Sequence, residues 1–136
     1  AKNRSGLEQA VTALARDGDH PRRAALLLVD IDHFKTLNDT HGHAAGDEIL
    51  RLFADVARSQ LREGDVVARH GGDEFVVMLP GLGLDEGMRV AERLRLAFAT
   101  ALTARPGLPG TSTLSIGVTE GDTASLPFDR MLADAD

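Results

Sequence analysis

Two adjacent acidic residues follow a pair of glycines near the middle of the chain. Asp73 and Glu74 come directly after these glycines, and β-prone runs over Val66–Arg69 and Phe75–Leu79 lie on either side. Paired glycines between such runs predict a hairpin, because a tight primed turn requires positive φ, which side chains resist. Neighbouring carboxylates at a hairpin tip repel each other unless a cation is bound there. The spacing therefore predicts a metal site at the tip of a hairpin.

A second acidic group lies at the end of a continuous apolar run. Residues Ala24–Ile31 lack strict alternation, which is typical of a central strand covered on both faces. Asp30 and Asp32 occupy the carboxyl end of this run, the edge at which binding sites form in α/β sheets. Such carboxylates suit Mg²⁺, which proteins bind with a few carboxylates together with substrate phosphates. The two acidic groups form one site only if this strand end and the hairpin tip lie side by side.

A short helix is predicted to begin near His33, directly after the apolar run. Its first backbone amides have no partners within the helix, so they would point toward the acidic edge and could hold an anion. Asp32, just before this helix, either contacts a metal or caps the helix. Because Asp is a preferred N-cap residue, we predict the cap.

Further elements follow from the spacing of apolar residues. Helical periodicity predicts helices over Leu7–Ala15, from Asp47 to about Leu61, from Asp85 to about Thr103, and from Phe128 onward. The helix that begins at Asp85 is predicted to bury Met88, Ala91, Leu94, Phe98 and Leu102. Alternation over Thr111–Val118 predicts a half-covered strand. From residue 24 the order β-α-α-β-β-α-β predicts an α+β fold, in which helices cover an antiparallel-rich sheet.

Composition indicates a soluble globular protein. With 136 residues, of which 43% are hydrophobic and 26% charged, the chain is expected to form a single domain over residues 1–136. The formal net charge of −6 argues against a nucleic-acid polymer as partner, because tracking phosphates requires a basic surface. No cysteine is present, which excludes a thiolate metal site. No apolar run approaches the roughly 20 residues of a membrane span, so no direct membrane contact is expected.

Two sequence blocks carry a resemblance to a known family. The motif Gly71-Gly72-Asp73-Glu74-Phe75 and the block Asp30–Asp47 resemble, in the same order, those of GGDEF-type diguanylate cyclases. The resemblance implies a ferredoxin-like, polymerase-palm-like sheet flanked by helices, of the nucleotidyl-cyclase type. Relative to the family, we expect the domain to be trimmed at both ends. It lacks an N-terminal Asp-x-Leu-Thr-Gly-Leu segment, a final strand, and a lysine and an arginine beyond Asp136.

The resemblance assigns roles to the acidic residues. Asp30 and Glu74 would bind Mg²⁺ or Mn²⁺ together with the backbone carbonyl of Ile31. Asp73 would either bind metal or remove the proton of an attacking 3′-hydroxyl. A solvated hairpin tip without chemistry is the alternative.

The resemblance also assigns the nucleotide contacts. The backbone amides of His33, Phe34 and Lys35 would hold the β- and γ-phosphates, and Lys35 is either a further phosphate contact or an ordinary exposed lysine. Asn38 and Asp47 would recognise guanine, since a carboxylate can accept from both N1–H and N2–H, which adenine does not offer. Alternatively, Asn38 ends the short helix and Asp47 caps the next one.

A third site is implied by the motif Arg62-x-x-Asp65. At this distance before Gly71, many members of the family carry an inhibitory site for their product, and Arg93 is placed as its second arginine by approximate alignment. Arginine presents a planar fork that suits phosphate and the Hoogsteen edge of guanine. The alternative is an arginine that only favours the helix C-terminus, beside a solvated Asp65.

The resemblance implies an enzyme that condenses two GTP molecules into cyclic di-GMP and two pyrophosphates in a homodimer. It further implies a regulatory sensory module in the full-length protein and a location in the cytoplasm, as part of a bacterial signalling protein. Two alternatives stay open. One is a non-catalytic regulatory module that binds cyclic di-GMP or GTP, and the other is a palm-like cyclase or polymerase fragment for another nucleotide.

Overall fold

The computed structural model of the chain describes residues 23–108 and 112–122. These residues form four strands and three helices, in the order predicted from residue 24 onward. They are β1 (Arg23–Ile31), α1 (Phe34–His41), α2 (His43–Gln60), β2 (Val66–Arg69), β3 (Glu74–Pro80), α3 (Leu84–Thr103) and β4 (Leu114–Asp122). The helices predicted over Leu7–Ala15 and from Phe128 lie outside the described residues. None of the helices in the described ranges has the length and apolar character needed to cross a membrane.

The four strands form one antiparallel sheet in the order β2-β3-β1-β4. β1 lies between β3 and β4, and its register with β3 runs from Ala24 opposite Pro80 to Asp30 opposite Glu74. Every residue from Ala24 to Val29 is buried, on both faces of the sheet. This confirms the prediction of a central strand, and it places the end of β1 in the middle of one sheet edge.

The core lies between one face of the sheet and the helices α2 and α3. Phe53 of α2 is fully buried, and its ring centroid lies 4.7 Å from that of Phe75 and 6.1 Å from that of Phe98. The prediction that Met88 points inward was wrong, because this side chain is 56% exposed. Gly87 faces the sheet instead: a Cβ at this position would lie 2.8 Å from Cβ of Ala25. The absence of a side chain at Gly87 lets α3 approach the sheet closely.

Gly42 alone joins α1 to α2. It is the C-terminal cap of α1 and the N-terminal cap of α2, with φ of 89°, a conformation that favours glycine. Helix α2 therefore begins at His43, four residues before the start predicted at Asp47. Ala44 and Ala45 explain the difference, since alanine is a strong helix former but adds little to an apolar stripe.

A carboxylate from β4 caps α3. The residue before the helix, Gly83, offers no side chain, and Glu120 supplies the acceptor: its Oε2 lies 2.6 Å from the backbone nitrogen of Leu84. Its Oε1 accepts from Arg23 of β1 at 2.7 Å. Hydrogen bonding to Arg23, and then to the Leu84 amide, lowers the pKa of Glu120 below its ordinary value. The contact fixes the start of α3 to the sheet.

Glu120 is expected to make stability depend on pH in the acidic range. Because its folded pKa lies below the ordinary value of 4.5, its contribution is complete above that pH and is lost as the pH falls through the folded pKa. Glu120→Gln removes this contribution. We expect a lower melting temperature at pH 7 and a smaller loss of stability on acidification, measured by circular dichroism at a series of pH values.

Glu92→Gln is the matched control for this prediction. Glu92 also has a lowered pKa, caused by Arg95 on the same helix, but this exposed pair joins no separate elements. Because an exposed pair within one helix adds little to stability, its replacement should change the pH profile of stability less than Glu120→Gln does. A Glu120→Gln profile that coincides with the unaltered one would contradict the proposed cap.

Candidate functional site

The end of β1 lies beside the acidic turn that precedes β3. Asp30 is directly opposite Glu74 in the antiparallel register, and the backbone nitrogen of Ile31 donates to the carbonyl of Asp73 at 3.2 Å. Directly opposed residues have their Cβ atoms about 5 Å apart and share one face of the sheet. Because Ile31 and Phe75 belong to the core against the helices, Asp30 and Glu74 lie on the other face. The predicted adjacency is therefore observed.

The turn between β2 and β3 differs from the prediction. Residues 70–73 form a four-residue loop rather than a two-residue primed turn. The carbonyl of Glu74 accepts from the backbone nitrogens of both His70 (2.9 Å) and Gly71 (3.4 Å), which closes the wider loop. Neither Gly71 nor Gly72 has positive φ. A Cβ at Gly72 would meet nothing within 4 Å, so neither backbone geometry nor crowding requires glycine there.

Arg69 holds the turn between β2 and β3, a role that was not predicted from the sequence. Its Nε donates to the carbonyl of Gly71 at 3.1 Å, and its Nη2 donates to the carbonyl of Gly72 at 2.6 Å. The guanidinium thus holds both glycine carbonyls of the loop that carries Asp73. In the sequence, Arg69 comes two residues before Gly71 and three before Gly72, close enough for its side chain to reach the turn.

The acidic edge offers two facing carboxylates rather than a complete metal cage. In the two described ranges, no group of three or more His, Asp or Glu side chains is arranged to hold a metal ion. Glu74 is 37% exposed, and its Oε2 lies 4.0 Å from Nε2 of His70. Mg²⁺ is commonly bound by one or two carboxylates together with waters and substrate phosphates. The donor set of Asp30, Glu74 and the Ile31 carbonyl therefore fits Mg²⁺ bound together with a nucleotide.

Asp32 does not cap α1. Its two carboxylate oxygens accept from the hydroxyls of Thr113 and Ser115, each at 2.6 Å, and its backbone nitrogen donates to the Thr113 carbonyl at 2.9 Å. The cap predicted for Asp32 was wrong, because His33 is the N-cap residue and makes no side-chain cap hydrogen bond. Asp32 instead attaches the end of β1 to the start of β4.

The turn from β1 into α1 is strained. His33 has φ of 57° and ψ of 31°, in the left-handed region, which costs a residue with a side chain about 1–2 kcal/mol. The first amides of α1, those of Phe34 and Lys35, follow the acidic edge directly in the chain. These amides have no acceptor within the helix. The Lys35 side chain is exposed. A cleft of about 250 Å³, lined in part by Asp32, His33 and Ser112, opens beside the turn.

Asn38 and Asp47 lie on the two helices that Gly42 joins. Asn38 is inside α1, which continues to His41, and Asp47 is inside α2, so the alternative interpretations of a helix end and an N-cap were both wrong. Asp47 is exposed. The Oδ1 of Asn38 is buried without a hydrogen-bond partner and lies against Gly46, the residue directly before Asp47. The Asn38 side chain is therefore at the α1–α2 contact, and the exposed Asp47 follows the glycine against which Asn38 packs.

Arg62, Asp65 and Arg93 meet at the C-terminal end of α2. Asp65 has a side chain only 4% exposed, so the idea that it is solvated was wrong; it accepts from the backbone nitrogen of Arg62 at 2.9 Å. The Arg62 guanidinium donates to the Pro80 carbonyl at 3.0 Å and lies 3.4 Å from Asp65. Arg93 of α3 donates to the carbonyl of Gln60, the last residue of α2, at 2.7 Å. Two arginines thus flank the start of the β2–β3 hairpin.

The fold and this edge define a class of protein. An antiparallel palm-like sheet, with two acidic side chains at the end of its central strand and a helix start beside them, is the α+β fold of nucleotidyl cyclases. Residues 2–136 match the family model described as diguanylate cyclase, GGDEF domain. The chain belongs to the GGDEF family, and the resemblance noted in the sequence is confirmed.

Individual relatives agree with this assignment. The chain is 45% identical over 120 residues to the diguanylate cyclase DgcP of Pseudomonas aeruginosa, an alignment that covers 87% of this chain and 17% of DgcP. The structure is similar to diguanylate cyclase SiaD of Pseudomonas aeruginosa in complex with its activator SiaC (TM-score 0.84, 34% identity, 98% of this chain and 52% of that one). It is also similar to the coiled coil and GGDEF domain of DgcB from Caulobacter crescentus in complex with c-di-GMP (TM-score 0.78, 27% identity, 97% and 69% covered). Alignments with the first curated relatives cover 17% to 27% of their lengths.

Proposed function

We propose that this chain is the catalytic domain of a diguanylate cyclase. In this reaction the 3′-oxygen of each of two GTP molecules attacks the α-phosphorus of the other, and cyclic di-GMP forms with release of two pyrophosphates. The observation that carries the proposal is the pairing of Asp30 with Glu74 at the edge where α1 begins. Two carboxylates that can bind a hard metal ion, followed in the chain by the first amides of α1, support binding of a metal–triphosphate complex at this edge.

The acidic residues have separate roles in this mechanism. Asp30, Glu74 and the Ile31 carbonyl would hold Mg²⁺ or Mn²⁺, which favours deprotonation of the 3′-hydroxyl and neutralises charge on the phosphates. Asp73, half-buried at the loop end, is placed to accept the 3′-hydroxyl proton or to add a ligand. The strained His33 turn directs the amides of residues 33–35 toward the β- and γ-phosphates.

Base recognition is assigned to the contact between α1 and α2. The exposed Asp47 carboxylate can accept from both N1–H and N2–H of guanine, and the Asn38 amide supplies a second polar group nearby. Adenine has neither donor at these positions, so its binding would leave the carboxylate unpaired. The substrate is therefore GTP rather than ATP.

Turnover requires two copies of the domain. Each chain presents one acidic edge and binds one GTP, so the two nucleotides meet only when two edges face each other in a homodimer. We place control of this pairing in a regulatory sensory module of the full-length protein, because the relative DgcP is far longer than the matched region. SiaD, which was solved with its activator, offers a parallel for such control. We place the domain in the cytoplasm, where GTP is available.

The test is a turnover assay on the full-length protein with Mg²⁺ and either GTP or ATP. We expect cyclic di-GMP and pyrophosphate in a ratio of 1:2 from GTP, a rate per protein that rises with protein concentration, and no cyclic dinucleotide from ATP. Absence of product at high protein concentration, with Asp73→Ala behaving identically, would refute catalysis.

A non-catalytic module that binds cyclic di-GMP is the second candidate function. The observation that favours it is the convergence of Arg62, Asp65 and Arg93 on one end of the β2–β3 hairpin, away from the acidic edge. Calorimetry with cyclic di-GMP separates the two functions. Binding that is lost in Arg62→Ala, in a protein without GTP turnover, would favour the module over the enzyme.

Gly72 provides a further prediction about the acidic edge. Because its φ is not positive and a Cβ there meets nothing within 4 Å, Gly72→Ala should leave the melting temperature unchanged. If a nucleotide must approach this backbone closely, the added methyl group lowers cyclic di-GMP formation by about tenfold. The measurement is the initial rate at saturating GTP together with thermal unfolding. Full activity in Gly72→Ala would show that the substrate does not contact the loop backbone.

A further inference from the structure

Gly46 lies at the closest approach between α1 and α2. A Cβ at this position would lie 1.9 Å from Oδ1 of Asn38, 2.9 Å from its Cγ and 3.1 Å from Cζ of Phe34. The first two distances are shorter than real Cβ contacts, so alanine cannot enter without displacing the Asn38 side chain. Gly46 is helical and its φ is not positive, so the backbone itself does not require glycine. The reason for glycine here is therefore space.

The side chain that fills this space carries an unpaired polar atom. The Oδ1 of Asn38 is buried and has no hydrogen-bond partner within the described residues. A buried amide oxygen without a partner costs about 1–3 kcal/mol and calls for an explanation beyond folding. Its neighbour across the contact is Gly46, and the next residue is Asp47. The unpaired amide oxygen therefore belongs to one member of the proposed base-recognition pair and lies against the residue that precedes the other member.

We infer that Gly46 is a positioning residue for recognition of the guanine base. The missing side chain lets the Asn38 amide pack against α2 at the residue directly before Asp47. An amide fixed before binding loses little conformational entropy when the base arrives, and a fixed polar pair discriminates strongly between bases. This inference rests on the proposed function for the choice of base. The packing of Asn38 against Gly46 is independent of that function.

A double-mutant cycle, followed by melting temperature, tests the packing of Asn38 against Gly46. Alanine favours a helix over glycine, so Gly46→Ala gains stability wherever no clash opposes it. In the unaltered chain the clash with Asn38 dominates, and the melting temperature should fall. In the Asn38→Ala background the amide is absent and only the 3.1 Å approach to Cζ of Phe34 remains, so the same substitution should lower the melting temperature much less than in the unaltered chain. An equal fall in both backgrounds would overturn the inference.

Nucleotide binding tests the effect on recognition. Calorimetry with Mg²⁺ and either 3′-deoxy-GTP or 3′-deoxy-ATP, which lack the attacking hydroxyl, measures affinity without turnover. Gly46→Ala should weaken binding of the guanine nucleotide by about tenfold and change binding of the adenine nucleotide by no more than about twofold. Equal weakening of both nucleotides, or no weakening of either, would contradict a role in base recognition.

Gly87→Ala is the matched control. Gly87 is also a buried helical glycine, and a Cβ there would lie 2.8 Å from Cβ of Ala25 and 3.1 Å from Cγ1 of Val118, in the core beneath α3. This variant should lower the melting temperature but preserve the preference for guanine. If the unaltered protein binds both nucleotides equally, the proposed function fails, and the double-mutant cycle still decides whether Gly46 positions Asn38.

Discussion

Glu74→Gln is expected to lower cyclic di-GMP formation on the order of 1,000-fold while the fold stays intact. Glu74 faces Asp30 across the β1–β3 pair, and glutamine keeps the size of the side chain but removes the charge that the proposed metal site requires. The carboxylate is 37% exposed and lies no closer than 4.0 Å to His70, so no buried ion pair is broken. The measurements are product formation by chromatography and thermal unfolding.

Metal binding gives a readout that does not depend on catalysis. In the presence of 3′-deoxy-GTP, Mn²⁺ titration followed by electron paramagnetic resonance should show weaker binding in Glu74→Gln than in the unaltered protein. Asp55→Asn is the control, because Asp55 is an exposed acidic residue that pairs with Arg58 on the same helix. Unchanged Mn²⁺ affinity in Glu74→Gln would remove this residue from the metal site, whatever happens to turnover.

Arg62→Ala is expected to weaken binding of cyclic di-GMP by about 100-fold without changing the initial rate of its synthesis. Charge-assisted hydrogen bonds from a guanidinium contribute about 1.5–3 kcal/mol each, and the exposed Arg62 fork can exchange its present acceptor, the Pro80 carbonyl, for a phosphate. Asp65 keeps its bond from the backbone nitrogen at position 62, so the turn should survive. The measurements are calorimetry with the product and inhibition of turnover.

Arg58→Ala serves as the control for the product site. Arg58 lies on the last turn of α2, four residues before Arg62, and is similarly exposed, but it contacts Asp55 and not the hairpin. Its removal should leave the affinity for cyclic di-GMP unchanged. If Arg62→Ala and the unaltered enzyme are inhibited at the same product concentration, the arginines at this end of α2 serve only to hold backbone carbonyls.

The sheet and its acidic edge were predictable because their signals are local. The apolar run of β1 and the β-prone runs around the glycine pair identified three strands, and the sheet implied by the family resemblance then put Glu74 near the end of β1. The boundary of α2 was not predictable from apolar spacing, since its first turn contains mainly alanine and glycine. A glycine within a helical pattern indicates that another element approaches the helix closely, and Gly46 and Gly87 are two such positions.

Long-range contacts account for the remaining errors at the site. Asp32 was predicted to cap α1, yet its partners Thr113 and Ser115 are 81 and 83 residues away along the chain. No local pattern distinguishes an aspartate that caps from one that bonds to a distant strand. The same applies to Glu120, which caps α3 from β4. Residues that join separate elements become visible only once the topology is known.

The single glycine that joins α1 to α2 also constrains the length of the chain around it. Asn38 and Asp47 lie on opposite sides of Gly42, and each helical residue turns the chain by about 100°. One residue inserted or deleted between them would rotate the carboxylate away from the amide, even with every side chain retained. For the proposed base recognition, the number of residues from Asn38 to Asp47 therefore matters as much as the identities of the two side chains.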